Sequence, residues 1–237
     1  MTAEQVRASV RYTYEFVRHS LPSGARRVLE VGCGSGELSS LLARQGFEVV
    51  AIDSDDCAVS QARASGVDAR LLAWPAELHE SFDAVLFTRS LHHIHQLDEA
   101  IAAAKAVLSP LGRVIVEDFR AEGNSARSST WFRGTCQLLA AAGAVDAEAE
   151  ELMAKAGPAD HEHELHSSSA IHQVLTSSMV TQWSGAAYYF RYLEPHLLSP
   201  KSSDTLFAVE CELIDAGSIE PLGMRFVSNG DPERPRR

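Results

Sequence analysis

The sequence contains few cysteines and no long apolar run. Its cysteines lie far apart without a Cys-x-x-Cys pair, at Cys33, Cys57, Cys136 and Cys211. This spacing argues against a zinc knuckle, a dithiol redox motif and a disulfide framework. No stretch of about 18 apolar residues occurs, and charged residues interrupt the first twenty positions, so neither a membrane-spanning helix nor a signal peptide is predicted. We therefore expect reduced thiols and a soluble, cytoplasmic protein.

Positive charge is also scarce. The 237 residues include 21 Lys and Arg against 32 Asp and Glu, which gives a net charge of −11. Nucleic-acid binding depends on clustered positive charge that replaces the counterions of the phosphates. The charge balance therefore argues against a nucleic-acid partner. The length and the 45% hydrophobic content allow a full core, and we expect a single domain over residues 1–237 that carries an insertion.

Short apolar segments alternate with helical periods between residues 26 and 118. This alternation predicts an α/β fold with a doubly wound, mostly parallel sheet and helices on both faces. The predicted strands of this part are residues 26–31, 47–53, 67–73, 82–87 and 113–118. The predicted helices are residues 37–45, a helix capped by Ser54 and closed by Gly66, and residues 97–108 followed by Pro110 and Gly112 as stop signals.

The alternation of predicted strands and helices ends at residue 119. We interpret residues 119–181 as a helical insertion or cap within the domain, with helices near 130–142, 146–156 and 168–178. The pattern then predicts the return of the chain to the sheet, with a strand over 185–193, a helix over 204–216 ended by Gly217, and a last strand over 221–227. Residues 228–237 are expected to form a loose tail.

Three glycines alternate after the first predicted strand, in LEVGCGSGELSSLL. Gly32, Gly34 and Gly36 would let a ligand approach the backbone, and the following helix offers unpaired N–H groups at its start. Asp53 ends the second strand, where a carboxylate can accept both hydroxyls of a ribose. A glutamate occupies the position of the third glycine of the dinucleotide fingerprint GxGxxG. The pattern predicts a nucleoside-containing cofactor; a loop that merely packs closely is the alternative.

Four segments together resemble a class I S-adenosylmethionine-dependent methyltransferase: RVLEVGCGSG, the acid that ends strand two, FDAVLFTRSLHHI and VLSPLGRVIVED. The resemblance covers about residues 14–118 and, more faintly, the last strands. It implies a seven-stranded Rossmann-like methyltransferase fold, S-adenosyl-L-methionine as cofactor and S-adenosyl-L-homocysteine as product. Motifs typical of the DNA, glutamine and arginine methylases are missing. The expected partner is therefore a small-molecule oxygen or nitrogen acceptor, methylated by in-line displacement, with no membrane involved.

The resemblance assigns cofactor roles to residues near the ends of the predicted strands. Glu30 and the three glycines would surround the methionine part, and Asp53 would hold the ribose. Trp74 follows strand three, where the family commonly has an acid or a polar side chain beside the adenine; either its ring packs on the adenine or backbone atoms alone recognise the base. The expected cofactor-binding residues are Glu30, Gly32, Cys33, Gly34, Gly36, Asp53, Ser54, Trp74, Thr88 and Arg89.

Histidines follow strand four in SLHHIHQL. A histidine can take a proton from a hydroxyl or a protonated amine near neutral pH. We expect His93, with His92 as the second choice, to act as this base. Methyl transfer does not require a base, however, and the alternative is that a histidine of this group packs under the loop or bonds a backbone carbonyl.

A second group of histidines lies in DHEHELHSSSAIH, residues 160–172. Imidazole and carboxylate groups suit zinc or iron, but the spacing is irregular. Magnesium is not expected either, because catechol-methylating relatives use an Asp after strand four where this chain has Thr88. We therefore predict no metal and interpret the segment as part of an acceptor pocket. The residues expected to line that pocket are Tyr14, Trp131, His166, Trp183 and Tyr188, with plain core packing of the aromatic residues as the alternative.

Two other functions fit part of the pattern. A nicotinamide-dependent oxidoreductase is compatible with the βαβ unit and Asp53, although no Tyr-x-x-x-Lys motif is present. A catalytically silent methyltransferase-like binding protein is compatible with the missing adenine acid. The sequence names neither the acceptor nor the oligomeric state.

Overall fold

The computed structural model describes residues 6–120, 125–146, 148 and 166–230. The helices are α1 (Ala8–Ser20), α2 (Glu37–Arg44), α3 (Asp56–Ala64), α4 (Leu97–Val107), α5 (Ala126–Ala141), α6 (Ser168–Ser178), α7 (Phe190–Leu193) and α8 (Pro200–Asp215). The strands are β1 (Arg27–Val31), β2 (Glu48–Asp53), β3 (Asp68–Leu71), β4 (Phe82–Thr88), β5 (Leu108–Phe119), β6 (Val180–Ala186) and β7 (Gly223–Asn229). Short 3₁₀ turns occur at Leu91–His93 and Glu194–His196.

Within the described residues, seven strands form one sheet in the order β3-β2-β1-β4-β5-β7-β6. The pairs β1–β2, β1–β4, β2–β3 and β4–β5 are parallel. The strand order reverses between β1 and β4, and ligands of such sheets bind outside the carboxyl ends of the strands at this point. The predicted doubly wound, mostly parallel seven-stranded fold is confirmed.

Contacts divide the chain into two compact units. The first unit consists of residues 1–12, 119–165 and 185–224, and the second of residues 13–118, 166–184 and 225–237. The second unit holds β1 to β4 and therefore the turns for which cofactor contacts are predicted. No helix in the described part of the chain combines the length and the apolarity that crossing a bilayer requires.

Burial explains why the central strands form where the sequence places them. β1 and β4 are buried along almost their whole length, and Leu29, Phe82 and Phe87 are fully enclosed. Strands covered on both faces read as continuous apolar runs, which is the pattern that predicted them. α2 buries Leu38 and Leu42, while Leu41 is half-buried.

Two predicted signals at helix ends are wrong. The N-cap of α3 is Asp55 rather than Ser54, because the Asp55 carboxylate accepts a hydrogen bond from the Cys57 amide at 2.8 Å. α4 ends at Val107, and β5 begins at Leu108, so that Pro110 and Gly112 lie inside a strand. An irregular register between Phe82 and Ala84 of β4 accommodates this early part of β5.

The strand predicted over 185–193 is also misplaced. β6 ends at Ala186, and Phe190–Leu193 is helical. The buried Glu210 carboxylate accepts the backbone N–H groups of Tyr188, Tyr189 and Phe190 at 2.6, 2.9 and 3.0 Å. These bonds satisfy the amides that a helix start leaves open. Burial raises the pKa of Glu210, while the three amide donors oppose that rise.

The helix predicted over 146–156 lies almost wholly outside the described residues, as do residues 231–237 of the predicted tail. The helices predicted near 130–142, 168–178 and 204–216 are confirmed as α5, α6 and α8. Gly217 ends the last of them with a left-handed φ of 66°.

Candidate functional site

The turn between β1 and α2 contains three glycines with left-handed backbone conformation, at φ 73°, 52° and 77° for Gly32, Gly34 and Gly36. A Cβ atom added to Gly32 would lie 2.4 Å from Cβ of Ser90, and one added to Gly36 would lie 2.7 Å from Cβ of Ala62. Close packing therefore requires these two glycines. A Cβ atom on Gly34 would meet no described atom within 4 Å. The backbone at Gly34 is thus open to an approaching ligand.

Asp53 ends β2 beside this turn. Its Oδ2 accepts the Gly34 amide at 2.8 Å, and its Oδ1 accepts the Asp55 amide at 3.0 Å. The amides of Gly32 and Cys33 both donate to the carbonyl of Ile52, at 2.8 and 3.1 Å. The end of β2 therefore fixes the shape of the turn, and Asp53 lies directly beside its open glycine.

Glu30 lies buried under the same edge, with 2% of its surface exposed. Its carboxylate accepts hydrogen bonds from the hydroxyl of Ser39 and from Oγ1 of Thr88, the latter at 2.9 Å. Burial raises the pKa of Glu30, and the hydrogen bonds from Ser39 and Thr88 oppose this. The side chain thus ties β1 to the start of α2 and to the end of β4.

The remaining residues of the predicted cofactor set differ in their surroundings. Cys33 is buried, and burial raises the pKa of its thiol to about 12, so that the thiol stays protonated at neutral pH. Ser54 is exposed directly after β2. Trp74 is half-buried; its indole N–H donates to the carbonyl of Ala100 at 3.0 Å, and its ring meets Phe87 edge-on with centroids 6.4 Å apart. Trp74 is therefore anchored to α4.

Arg89 follows β4 with a φ of 60°, a conformation that no other described residue except glycine adopts. Backbone strain of this kind concentrates at functional sites. The guanidinium lies 3.5 Å from the carboxylate of Glu117. Glu117 is almost fully buried in β5 and also accepts bonds from Thr13 Oγ1 at 2.5 Å and Arg225 Nε at 2.8 Å. Glu117 was not predicted from the sequence, although its place near the end of a buried strand matches that of Asp53.

His92 and Asp118 form a buried pair at this edge, with exposed fractions of 3% and 0%. His92 Nδ1 lies 2.6 Å from Asp118 Oδ1, and the His92 amide donates to Asp118 Oδ2 at 3.3 Å. His93, the residue that the sequence favoured as base, is exposed, with its ring centroid 4.0 Å from that of His92. Asp118 was not predicted from the sequence either, although it too is an acid near the end of a buried strand.

His166 contacts the turn that carries this pair. Its amide donates to the carbonyl of His92 at 3.3 Å, and its Nε2 lies 2.9 Å from the carbonyl oxygen of Ile94. The neighbouring histidines and acids of the predicted second group, residues 160–164, lie outside the described residues. His166 is thus a predicted pocket residue that the structure places beside a predicted base.

Two other predicted pocket residues belong to the second unit. Tyr14 is half-buried on α1, and burial raises the pKa of its hydroxyl. Trp183 on β6 is 62% exposed and meets His172 edge-on, with ring centroids 6.1 Å apart.

Trp131 and Tyr188 lie in the first unit, within an aromatic cluster of α5, α7 and α8. Trp131 meets Tyr189 edge-on at 5.6 Å, and the rings of Tyr188 and Phe119 lie 5.3 Å apart. Tyr188 is buried and Trp131 is partly buried. Within this unit, both residues pack as part of the core.

The first unit also contains a group of side chains of metal-ligand type. The ligand atoms of Asp146, Glu148 and His196 lie within 4.8 Å of one another. His196 Nδ1 lies 3.1 Å from Asp146 Oδ1, and the Asp146 amide donates to the His196 carbonyl at 3.0 Å. Pairing of the two chain segments accounts for this proximity.

A cavity of about 590 Å³ lies at the opposite edge of the sheet, where β1, β4 and β5 begin. Its lining includes Arg26, Asp83 and Ser109 but none of the predicted cofactor residues. The Asp83 carboxylate accepts the amides of Arg26 and Arg27 at 2.8 and 3.0 Å. This cavity is therefore separate from the carboxyl edge at which the glycine turn, Glu30 and His92 lie.

A family model described as a methyltransferase domain matches residues 3–175. A ubiquinone biosynthesis O-methyltransferase of Xylella fastidiosa (strain M23) is 41% identical over 116 residues, which cover 45% of this chain and 46% of the relative. The chain thus spans about half the length of the curated relatives it matches.

Two solved structures share the fold. The N-methyltransferase NodS from Bradyrhizobium japonicum WM9, in complex with S-adenosyl-L-homocysteine, is 16% identical with a TM-score of 0.55 and covers 97% of this chain and 90% of its own. The plantazolicin methyltransferase BpumL, in complex with the same molecule, is 14% identical with a TM-score of 0.53 and covers 94% of this chain and 82% of its own.

Proposed function

This chain belongs to the methyltransferase domain family, and we propose that it transfers a methyl group from S-adenosylmethionine to an oxygen or nitrogen atom of a small molecule. One observation carries the proposal: Asp53 holds the amide of Gly34 at 2.8 Å, and the backbone at Gly34 is open. A carboxylate beside an open glycine turn, at the carboxyl edge of a parallel sheet, suits a ribose-containing ligand.

The surroundings of the turn fit such a cofactor. The start of α2 offers N–H groups to the ligand, and the glycine turn with Glu30 is assigned to the methionine part. Glu30 acts there by fixing Ser39 and Thr88, since its carboxylate is engaged by both. Asp53, with Ser54 next to it, is assigned to the ribose, and the Trp74 side of the edge to the adenine.

When bound, S-adenosylmethionine supplies an electrophilic methyl group on a sulfonium sulfur and leaves as the thioether S-adenosylhomocysteine. The task of the protein is to align the acceptor with that group and to exclude water. Ser90 supports this alignment, because its hydroxyl donates to the carbonyl of Val31 at 2.5 Å and so joins the ends of β1 and β4. Thr88 and Arg89 are assigned to the region between cofactor and acceptor, with Tyr14 and His166 on the acceptor side.

Several observations support a small-molecule acceptor. The curated relative of X. fastidiosa is an O-methyltransferase of ubiquinone biosynthesis, and NodS is an N-methyltransferase. The net charge of −11 disfavours a polyanionic acceptor. The proposal therefore includes both oxygen and nitrogen acceptors.

Thermal unfolding with four ligands tests the proposal. S-adenosylmethionine and S-adenosylhomocysteine are each expected to stabilise the protein, and a ligand at about 100 times its dissociation constant adds about 2.7 kcal/mol to the free energy of unfolding. NAD and NADP, run in parallel, should leave the transition unchanged. A shift with NAD or NADP alone would favour the oxidoreductase, and no shift with any of the four would contradict the proposal.

Substitution of Gly34 separates ligand binding from folding. Gly34→Val should leave the protein folded, because an added Cβ atom meets no described atom within 4 Å, while the left-handed backbone costs about 1–2 kcal/mol. The branched side chain should instead block the ligand and raise the dissociation constant for S-adenosylhomocysteine about tenfold or more. Isothermal titration calorimetry measures this change, and circular dichroism checks the fold.

Gly66→Val is the matched control for this experiment. Gly66 follows α3 with a φ of 83° and an equally open surrounding, but it lies outside the turn. It should show the same backbone strain with unchanged affinity. Equal affinity of Gly34→Val and the wild type would contradict the assignment of the turn. Gly32→Val, in contrast, should impair folding itself, because the new Cβ atom would clash with Ser90.

A further inference from the structure

We propose that Arg89 binds a carboxylate of the methyl acceptor, so that the acceptors of this protein are small carboxylic acids methylated at a hydroxyl or amino group. The inference rests on the proposed methyl-transfer function and narrows its acceptor class. A guanidinium group binds a carboxylate through two parallel N–H donors. Arg89 offers such a pair of donors at the edge of the sheet to which the reacting groups are assigned.

Arg89 lies between two residues that contact the glycine turn and its support. Thr88 before it donates to the Glu30 carboxylate at 2.9 Å, and Ser90 after it packs closely on Gly32. The charge of Arg89 also reaches Glu30: burial raises the pKa of Glu30, and the positive charge of Arg89 is one of the influences that oppose this rise. The side chain of Arg89 is therefore close to the turn that is assigned to the methionine part of the cofactor.

The guanidinium of Arg89 is only partly engaged. Its Nη1 lies 3.4 Å from Oγ1 of Thr13 and 3.5 Å from Oε1 of Glu117. Arg225 holds the same Glu117 carboxylate more closely, at 2.6 and 2.8 Å. Among the described residues, no acceptor bonds Nε or Nη2 of Arg89, neither nitrogen is buried, and 34% of the side chain is exposed. Nε and Nη2 carry the two parallel N–H groups that bind a carboxylate side-on.

The backbone does not explain why this position carries an arginine. The φ of 60° is costly for a residue with a side chain and cheap for glycine. The amide of Arg89 donates to the Glu117 carbonyl at 2.7 Å, and glycine would make this bond equally well. Strained residues of this kind are typical of ligand sites. The side chain therefore serves either the loose ion pair with Glu117 or a ligand, and the open pair of donors favours the ligand.

The strand order places the guanidinium on the acceptor side of the site. The ribose is assigned to Asp53 after β2, and the methionine part to the turn after β1. In the order β3-β2-β1-β4-β5-β7-β6, β4 separates β1 from β5. The guanidinium extends from the end of β4 towards Glu117 on β5. It thus points away from the ribose, along the part of the edge that the cofactor leaves for a second molecule.

A carboxylate bound at Arg89 would orient the acceptor for the displacement. Methyl transfer requires the attacking atom to lie in line with the methyl carbon and the sulfur. A lone pair of the acceptor oxygen or nitrogen forms the new bond to carbon, the C–S bond breaks with its electron pair left on sulfur, and the acceptor proton goes to solvent. The carboxylate is unchanged, because its oxygens are engaged by the guanidinium.

Nuclear magnetic resonance of ¹⁵N-arginine-labelled protein, saturated with S-adenosylhomocysteine, tests binding without turnover. The Nε–H signal of Arg89 is identified by its loss in Arg89→Lys. Benzoate should move this signal in a saturable titration at constant ionic strength, because its carboxylate accepts the proton. Benzamide at the same concentrations should leave the signal in place. A signal that benzoate does not move, or that benzamide moves equally, would overturn the inference.

Two nucleosides distinguish the acceptor from the cofactor as the source of the carboxylate. S-adenosylhomocysteine carries a carboxylate, and 5′-methylthioadenosine does not. We expect the same response of the Arg89 signal to benzoate with either nucleoside bound. If S-adenosylhomocysteine alone moves the signal, 5′-methylthioadenosine does not, and benzoate has no further effect on the first complex, Arg89 holds the cofactor and the acceptor assignment is wrong.

Methyl transfer to paired acceptors tests specificity. The pairs are 4-hydroxyphenylacetate with 4-hydroxyphenylacetamide and 4-aminophenylacetate with 4-aminophenylacetamide. kcat/KM for the acid should exceed that for the amide by about 10–150-fold, mainly through KM, on the scale of a charged hydrogen-bonded contact. Arg89→Gln should bring this ratio to about one, and Arg89→Lys, which keeps the charge without the paired donors, should lie between. A role confined to the ion pair with Glu117 would lower the rates of acid and amide alike.

The outcomes separate this inference from the proposed function. Arg44→Gln, at the exposed end of α2, is the control and should leave the ratio unchanged. If S-adenosylhomocysteine fails to bind the wild type, the methyl-transfer function itself is wrong. If it binds and the amides are methylated as efficiently as the acids, the function stands and the carboxylate assignment is wrong. A preference for the acid that survives in Arg89→Gln would place the recognition at another residue.

Discussion

Replacement of Asp53 by alanine should weaken the binding of S-adenosylhomocysteine by about 1.5–3 kcal/mol, which corresponds to a roughly 10–150-fold higher dissociation constant. Two effects contribute. The proposed hydrogen bonds to the ribose are lost, and the amide of Gly34 loses the carboxylate that accepts it at 2.8 Å. Isothermal titration calorimetry with the purified protein gives the affinity directly.

One further variant separates the two effects, and a second variant is the control. Asp53→Asn keeps an acceptor oxygen for the Gly34 amide but removes the charge, so that it should lie between the wild type and Asp53→Ala. Asp56→Ala changes an exposed acid in the first turn of α3 and should bind normally. If Asp53→Ala retains wild-type affinity in a folded protein, Asp53 does not hold the ligand.

Replacement of Glu117 by alanine should lower the free energy of unfolding by about 3 kcal/mol. The carboxylate is 1% exposed and lies 2.6 Å from Nη2 of Arg225 and 3.5 Å from Nη1 of Arg89. Its removal leaves two arginines close together without their shared counter-charge and takes away the acceptor of the Thr13 hydroxyl. Urea unfolding followed by circular dichroism measures the loss.

Glu48→Ala is the matched control for this stability measurement. Glu48 also pairs with an arginine, Arg27, but at 3.9 Å and with 75% of its side chain exposed. Exposed pairs of this kind contribute about 0–1 kcal/mol. A loss in Glu117→Ala no larger than in Glu48→Ala would show that Glu117 does not hold the arginines against the sheet.

The sequence predicts the central sheet well because the apolar pattern of each central strand lies within a few consecutive residues. Val85, Leu86 and Phe87 form a continuous apolar run, and such runs are typical of strands covered on both faces. The beginning of β5 and the helix α7 could not be predicted in the same way. Pro110 is a stop signal in most contexts, and its place in a strand depends on a register irregularity in β4. α7 depends on Glu210, a residue distant in sequence that satisfies the amides at the start of the helix.

The candidate site likewise combines features that the sequence predicts with features that it does not predict. The open turn at Gly34 and its neighbour Asp53 are short-range features with a known spacing, and the structure brings them together. The pair of His92 and Asp118 joins positions 26 residues apart through the pairing of β4 with β5. A sequence shows which residue types are present near strand ends but not which of two adjacent histidines turns inward. Asp118, near the end of β5, was the feature of the sequence that could have identified His92 as the inward histidine.

The central position of β1 has a consequence for how the protein is made. Val28 pairs with Val49 of β2 on one side and with Ala84 of β4 on the other. During synthesis β2 leaves the ribosome long before β4, and the shorter loop closes at the lower entropic cost. We expect the nascent chain to form the turn of Gly34 and its contact with Asp53 while His92 and Asp118 are still to be translated. The glycine turn at this edge is then assembled first, and the pair of His92 and Asp118 is added to it.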